Sequence, residues 1–178
     1  MKTQIRTGMF ETNSSSVHAL IIPKECDEQR HKLYVSHGEF GWECERYKSP
    51  DTLLSYLCQA VYDTADSEAR YKHGIKDEKL VREYVEGVLS NFVAPIKECG
   101  IDVEFVDNYF ACGYENGYVD HARTLVEEEL PGLISNRDKM MRFIFGGELI
   151  TGNDNDDDEC PKTDWHDNEK YDVVVKYN

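Results

Sequence analysis

An apolar stripe in the middle of the chain constrains the fold more than any other feature. Between Asp77 and Gly100, apolar residues recur every four positions, which is the spacing of one face of an α-helix. The stripe consists of Leu80, Val81, Tyr84, Val85, Val88, Leu89, Phe92, Val93 and Ile96. A stripe of this kind predicts a helix that packs on a core, and Pro95 is expected to kink or end its last turn.

A second helix is predicted to begin at Ser49-Pro50-Asp51. This tripeptide offers a capping hydroxyl, a proline for the first helical position and an acid near the positive end of the helix dipole. Apolar residues follow at helical spacing, at Leu53, Leu54, Leu57, Ala60 and Val61. A third helix is predicted from 121 to about 130 and is expected to end at Pro131-Gly132.

The remaining pattern predicts strands. They are expected at 2–9, 16–22, 33–36, 42–47, 101–106 and 171–177. Segments 33–36 and 42–47 are interpreted as a pair, and Phe143 and Phe145 as part of a hairpin that turns at Gly146-Gly147 and returns through 148–150. Val17, Ala19 and Ile21 would share one face of their strand, with His18, Leu20 and Ile22 on the other, so both faces are expected to be covered.

These elements predict one α+β domain over residues 1–178. We expect a mostly antiparallel sheet with two principal helices packed on it, and an acidic loop region at 151–170. The length is sufficient for one sizeable core.

The formal net charge of −15, from 35 acids against 20 bases, argues against non-specific binding of nucleic acid, which requires a basic face. It suits a basic partner, including a protein that itself grips nucleic acid. The alternative is that negative charge only keeps the chain in solution.

A cytoplasmic location is predicted, because no apolar stretch approaches the ~18 residues of a membrane span and no long apolar segment of a secretory signal opens the chain. The six cysteines are scattered without a C-x-x-C pair, which disfavours a zinc knuckle and predicts free thiols. Cys58 is expected to be a core residue.

The polar segment 5–18 is the first candidate site. Its binding candidates are Asn13, Ser14, Ser15 and Ser16, whose short side chains and backbone amides can cradle a phosphate or carboxylate. In an enzyme, Glu11 and His18 would be the catalytic base and acid, as in a metal-independent ribonuclease, and Arg6 would hold the phosphate. The alternative is a hairpin whose side chains satisfy their own backbone.

Two further polar blocks are candidates. Asp120-His121 lies at a predicted helix start, where Asp120 can equally be a simple N-cap. The block at Asn153, Asp154 and Asn155 opens an acidic run, in which Asp154 and Asp156 are weak candidates for Mg²⁺ or Ca²⁺; no other cofactor is predicted.

An EF-hand is rejected for that run, because Glu159 stands where the calcium loop requires glycine and Trp165 where it requires glutamate. The alternative to a cation site is a solvated acidic loop.

The three blocks also carry a resemblance. Arg6, Gly8, the run from Phe10 to Ser16, and His18 match the opening R-x-G-x-F-E-T-N-S-S-S-x-H of a family of short proteins from phages and mobile elements of Gram-positive bacteria. The resemblance continues at 118–121 and 151–155.

This setting includes anti-CRISPR inhibitors of the type II RNA-guided DNA nuclease, which the chain resembles in size, acidity and opening. The resemblance implies a protein that binds the effector with its guide RNA and blocks its binding of nucleic acid or its cleavage. The alternatives are a ribonuclease acting on the guide RNA, or a small-ligand or nucleotide-binding protein that uses the same polar residues. All of them predict that 11–18, 120–121 and 153–155 converge on one patch.

Overall fold

Two long helices and a four-stranded sheet organise the chain in the computed structural model. The structure describes residues 16–25, 31–41, 45–110, 117–120, 122, 126–127, 130–153 and 171–176. Helix α1 spans Pro50–Ser67 and begins at the predicted proline, although the Ser49 side chain makes no capping hydrogen bond. It continues into a π-helical turn, Glu68–Lys72, which the sequence pattern did not predict.

Helix α2 spans Glu78–Glu98, as the apolar stripe predicts. The carboxylate of Asp77 caps it by accepting hydrogen bonds from the amides of Lys79 (2.9 Å) and Leu80 (3.2 Å). The helix runs through Pro95 rather than ending there. Leu80 is exposed, whereas the next residue, Val81, is buried, so the core-facing side of the helix excludes Leu80.

The main sheet contains the strands β1 (Ser16–Pro23), β4 (Glu45–Tyr47), β7 (Glu148–Asn153) and β8 (Tyr171–Lys176). Their order in the sheet is β4-β7-β1-β8, and each neighbouring pair is antiparallel. The central strand β1 is buried on both faces, as predicted: Leu20 and Ile22 join the main core, while Ala19 and Ile21 form a second cluster with Ile150.

Two short parallel pairs complete the described strands. β2 (Lys32–Val35) pairs with β5 (Asp102–Phe105), and β3 (Glu39–Phe40) pairs with β6 (Tyr118–Val119). The predicted pairing of 33–36 with 42–47 is therefore wrong. The two segments are close in sequence, which favoured a hairpin. However, the buried face of β2 packs on α1, and its partner strand, β5, follows α2.

The predicted hairpin at Gly146-Gly147 is also wrong. Phe143 and Phe145 lie in α4 (Arg137–Gly146), and both are buried in the core. Gly147 follows the helix, and a methyl group there would lie 2.4 Å from the carbonyl oxygen of Phe143 and 2.7 Å from that of Ile21. The glycine therefore permits close approach to β1 rather than forming a hairpin turn.

Pro131 and Gly132 do not end a helix, because they lie inside the short helix α3 (Leu130–Ile134). The predicted helix over 121–130 lies largely outside the described residues, as does the predicted strand at 2–9.

One continuous core joins these elements. Helix α4 packs on β1, α1 packs on α4 and β2, and α2 packs on α1 and β5. The α+β prediction with a largely antiparallel main sheet is confirmed. Cys58 is a buried free thiol in this core, as expected. Among the described helices, none combines the length and apolar character that crossing a membrane requires.

Candidate functional site

Pairing of β1 with β7 brings the first and third polar blocks together. Ser16 lies opposite Asn153, and His18 lies opposite Thr151. His18 and Thr151 are both buried polar residues. Because residues 18, 20 and 22 share a face of β1, His18 lies on the side of the sheet that carries the helices.

His18 is held by α1 through Tyr56. The tyrosine hydroxyl lies 3.1 Å from His18 Nδ1, and the two rings stack with centroids 5.7 Å apart. Both residues have 0% exposure. Burial raises the pKa of Tyr56, so the hydroxyl stays protonated near neutral pH. When it donates to Nδ1, the hydrogen of a neutral His18 ring resides on Nε2.

Gly41 brings the second polar block to the same place. A methyl group on Gly41 would lie 2.9 Å from Asp120 Cβ and 3.0 Å from His18 Cε1 and Nε2. Gly41 also has φ +120°, a conformation that favours glycine. The Asp120 amide donates to the Phe40 carbonyl (3.0 Å), which extends the β3–β6 pairing by one residue. His18 and Asp120 therefore pack against one glycine.

Within the described residues, each of the three polar blocks has a member at this end of β1. These members are Ser16 and His18 from the first block, Asp120 from the second and Asn153 from the third. Other site candidates lie outside the described residues, namely Arg6, Glu11, Asn13, Ser14, Ser15, His121, Asp154, Asn155 and Asp156. Their roles, including a Mg²⁺ or Ca²⁺ site at Asp154 and Asp156, stay predictions.

The geometry favours a structural role for His18 in this conformation. A ring without exposed surface cannot contact a polymer such as RNA, and its stacking on Tyr56 orients it within the core. Within the part of the chain that the structure describes, no group of three or more His, Cys, Asp or Glu residues could hold a metal ion.

A second polar cluster was not predicted from the sequence. It joins His37, between β2 and β3, to Gln59 and Asp63 on α1. Gln59 is fully buried, and burial raises the pKa of Asp63 to about 6. The available signal was the i, i+4 spacing of an amide and a carboxylate along α1, which lets the two side chains bond on one helix face.

Comparisons of the chain with protein-family models, with curated proteins and with solved structures gave no significant match.

Proposed function

We propose that this chain is an acidic inhibitor that binds the RNA-guided DNA nuclease of a type II CRISPR system and blocks its binding or cleavage of nucleic acid. The observation that carries the proposal is the net charge of −15 and its concentration in one segment. Residues 154–170 hold eight of the 35 acids against two lysines. An effector of this class holds nucleic acid in positively charged channels, which an acidic surface can occupy.

The placement of that segment supports the proposal. It joins β7 to β8, the two neighbours of the central strand β1. β7 ends opposite Ser16 at one end of β1, and β8 begins opposite Pro23 at the other. The described residues that flank the acidic segment, Asn153 and Tyr171, therefore both belong to the main sheet.

A second candidate function is a ribonuclease or ligand-binding activity at the polar blocks. The observation that favours it is the meeting of Ser16, His18, Asp120 and Asn153 at one end of β1. Burial of His18 weighs against its use as a general acid on RNA, because a catalytic acid must reach the leaving group. We therefore place the binding function first.

Size exclusion of the chain with guide-loaded effector at moderate salt tests the binding function. Co-elution that weakens at high salt supports it, because the proposed contact is electrostatic. Absence of co-elution together with unaffected DNA cleavage contradicts it.

Labelled guide RNA, incubated with the protein and the effector, with and without Mg²⁺, tests the ribonuclease alternative. RNA that stays intact in every condition removes that alternative, and a thermal-shift screen against nucleotides tests ligand binding.

A charge-matched pair of variants locates the contact. The first replaces four acids of the segment by amides, at Asp154, Asp156, Asp157 and Asp158. The control replaces four acids elsewhere on the surface, at Glu83, Glu86, Glu98 and Asp107. The same net charge is removed in both, so long-range attraction changes equally. We expect affinity to fall about tenfold more in the first variant than in the control. An equal loss in both variants would show that the segment is not the contact surface.

A further inference from the structure

A continuous chain of hydrogen bonds links His37, between β2 and β3, through α1 to strand β6. Asp63 Oδ1 accepts from Gln59 Nε2 (2.8 Å), and Asp63 Oδ2 accepts from the Val119 amide (2.7 Å). Gln59 Oε1 lies 2.8 Å from His37 Nδ1. His37 Nε2 lies 2.6 Å from the carbonyl oxygen of Tyr109. The imidazole also stacks on the aromatic ring of Tyr109, with the two ring centroids 4.0 Å apart.

The partners fix which groups must donate. Gln59 Nε2 faces a carboxylate and also the carbonyl of Gly117 (3.3 Å), and both of these only accept. The amide oxygen of Gln59 must therefore point at His37 Nδ1. Since a carbonyl oxygen also faces Nε2, each ring nitrogen of His37 needs a hydrogen. With Asp63 ionised, the chain is complete when His37 is an imidazolium and the Gln59 amide dipole is aligned between them. With Asp63 protonated, the form that burial favours, a rotated Gln59 accepts from the carboxyl and donates to Nδ1 of a neutral His37, so the chain is complete with the same single proton.

Loss of this proton, which leaves a neutral His37 and an Asp63 carboxylate, breaks the chain. If the ring keeps its hydrogen on Nε2, the lone pair of Nδ1 faces the Gln59 oxygen at 2.8 Å. Rotating the amide by 180° moves its oxygen against the Asp63 carboxylate instead. In either orientation two acceptors face each other, which is costly around a fully buried glutamine.

The chain holds the segment 117–120 on α1. Besides Val119, it contacts Gly117, which packs so closely on Gly38 that a methyl group there would lie 2.4 Å from the Gly38 carbonyl oxygen. The same segment ends in Asp120, which packs with His18 against Gly41. The second polar block is thus held by the bonds of Asp63 and Gln59 together with the backbone pairing of β6 with β3.

We propose that His37, Gln59 and Asp63 form a proton-dependent latch, closed while one proton is held on His37 Nδ1 or on the Asp63 carboxyl, that holds residues 117–120 against α1. Loss of that proton weakens the contacts of Asp63 and Gln59 with the segment that carries Asp120. The latch belongs to the fold and does not depend on the proposed binding of a nuclease.

The surroundings leave the latch pair as the groups that change charge. The titratable side chains facing the pair are Tyr62 and Tyr109, whose rings contact that of His37, and Asp66, which acts on Asp63 from α1. Cys58 acts on Tyr109. Burial raises the pKa of the Cys58 thiol and of the Tyr109 hydroxyl, so both stay neutral. Asp66 is ion-paired with Arg70 at 2.9 Å.

Nuclear magnetic resonance of the wild-type chain between pH 5.5 and 8.5 tests the proposal. The ¹⁵N shifts of the His37 ring report its protonation, and amide hydrogen exchange reports the bond from Val119 to Asp63. Exchange rates are corrected for their intrinsic pH dependence and compared with Val85 and Leu89 in α2. We expect Val119 protection to fall about tenfold as the latch loses its proton with rising pH, while protection in α2 stays constant. Constant Val119 protection while the His37 ring is neutral and Asp63 is ionised, the latter read from its carboxyl ¹³C shift, would overturn the proposal.

A matched pair of variants sharpens the test. In Asp63→Asn, the new amide can donate to a rotated Gln59, whose nitrogen then donates to neutral His37, so the chain closes without a charge. Val119 protection should then be independent of pH. The control Asp66→Asn removes a carboxyl one turn away on α1 that raises the pKa of Asp63, so it should keep the pH dependence with its midpoint moved to lower pH. If Asp63→Asn keeps that dependence as well, the latch is disproved; if the variant does not fold, the wild-type measurement decides alone.

Discussion

Replacing Gly41 by alanine probes the packing that joins the polar blocks. Two effects destabilise the variant. An L-residue at φ +120° costs about 1–3 kcal/mol in backbone strain. The added methyl group would also lie 2.9 Å from Asp120 Cβ and 3.0 Å from the buried ring of His18, and overpacking of this kind typically costs about 1–3 kcal/mol. We therefore expect the free energy of unfolding to fall by about 2–6 kcal/mol.

Gly74→Ala is the matched control. Gly74 also has positive φ, at +66°, but nothing lies within 4 Å of a methyl group there. Its substitution should cost about 1 kcal/mol, from backbone strain alone. Urea unfolding of both variants at neutral pH, followed by circular dichroism, gives the difference, and the Gly41 variant should also melt about 10 °C below wild type. If the two substitutions destabilise the chain equally, His18 and Asp120 do not pack against Gly41 as described.

Three further variants test individual contacts. Burial raises the pKa of Asp63 from 3.8 to about 6, so its stabilising contribution is complete below pH 3.8 and is lost as the pH rises through 6. At 1.36 kcal/mol per pKa unit, the free energy of unfolding of Asp63→Asn should rise by up to about 3 kcal/mol relative to that of wild type between pH 3.5 and 7, measured in urea titrations. A difference between the two proteins that stays constant over this pH range contradicts this. Tyr56→Phe removes the hydroxyl that bonds His18 Nδ1 and should cost about 1–2 kcal/mol in the same titrations, whereas a neutral effect would show that this bond contributes nothing. Asp77→Ala removes the cap of α2 and should cost about 1 kcal/mol, measured as a lower melting temperature that Asp77→Asn largely restores; equal losses in both variants would exclude capping as the cause.

The helices were predictable because their signals are local. The four-residue apolar repeat and the Asp77 cap define α2 almost to the residue, and Pro50 defines the start of α1. Strand existence was also predictable at β1 and β8 from their runs of β-branched and apolar residues. Each of these features depends on neighbours within a few positions in the chain.

Strand partners were not predictable in the same way. β2 pairs with β5 across two helices, and β1 pairs with β7 and β8, more than a hundred residues away. The Gly146-Gly147 pair has the composition of a hairpin turn, yet Phe143 and Phe145 before it belong to α4 and are buried. Tertiary packing outweighs local turn preference here.

The candidate site was likewise predictable where its signals are local and not where they depend on tertiary contacts. The motif 5–18 and the blocks at 120–121 and 153–155 were visible as polar sequence, and their described members meet through the β1–β7 pairing and Gly41. The contacts of His18 with Tyr56 and of His37 with Gln59 were missed, because they join residues 38 and 22 positions apart through tertiary packing. Only the Gln59–Asp63 bond is local, and its i, i+4 spacing was visible in the sequence.

Inhibition of target-DNA cleavage by guide-loaded effector tests the central claim most directly. The chain is titrated against a fixed concentration of effector, and both the DNA and the guide RNA are resolved on one gel. A binding inhibitor predicts loss of cleavage near one chain per effector, with full-length guide RNA throughout. Cleavage that persists in excess chain, or fragmentation of the guide RNA, contradicts it.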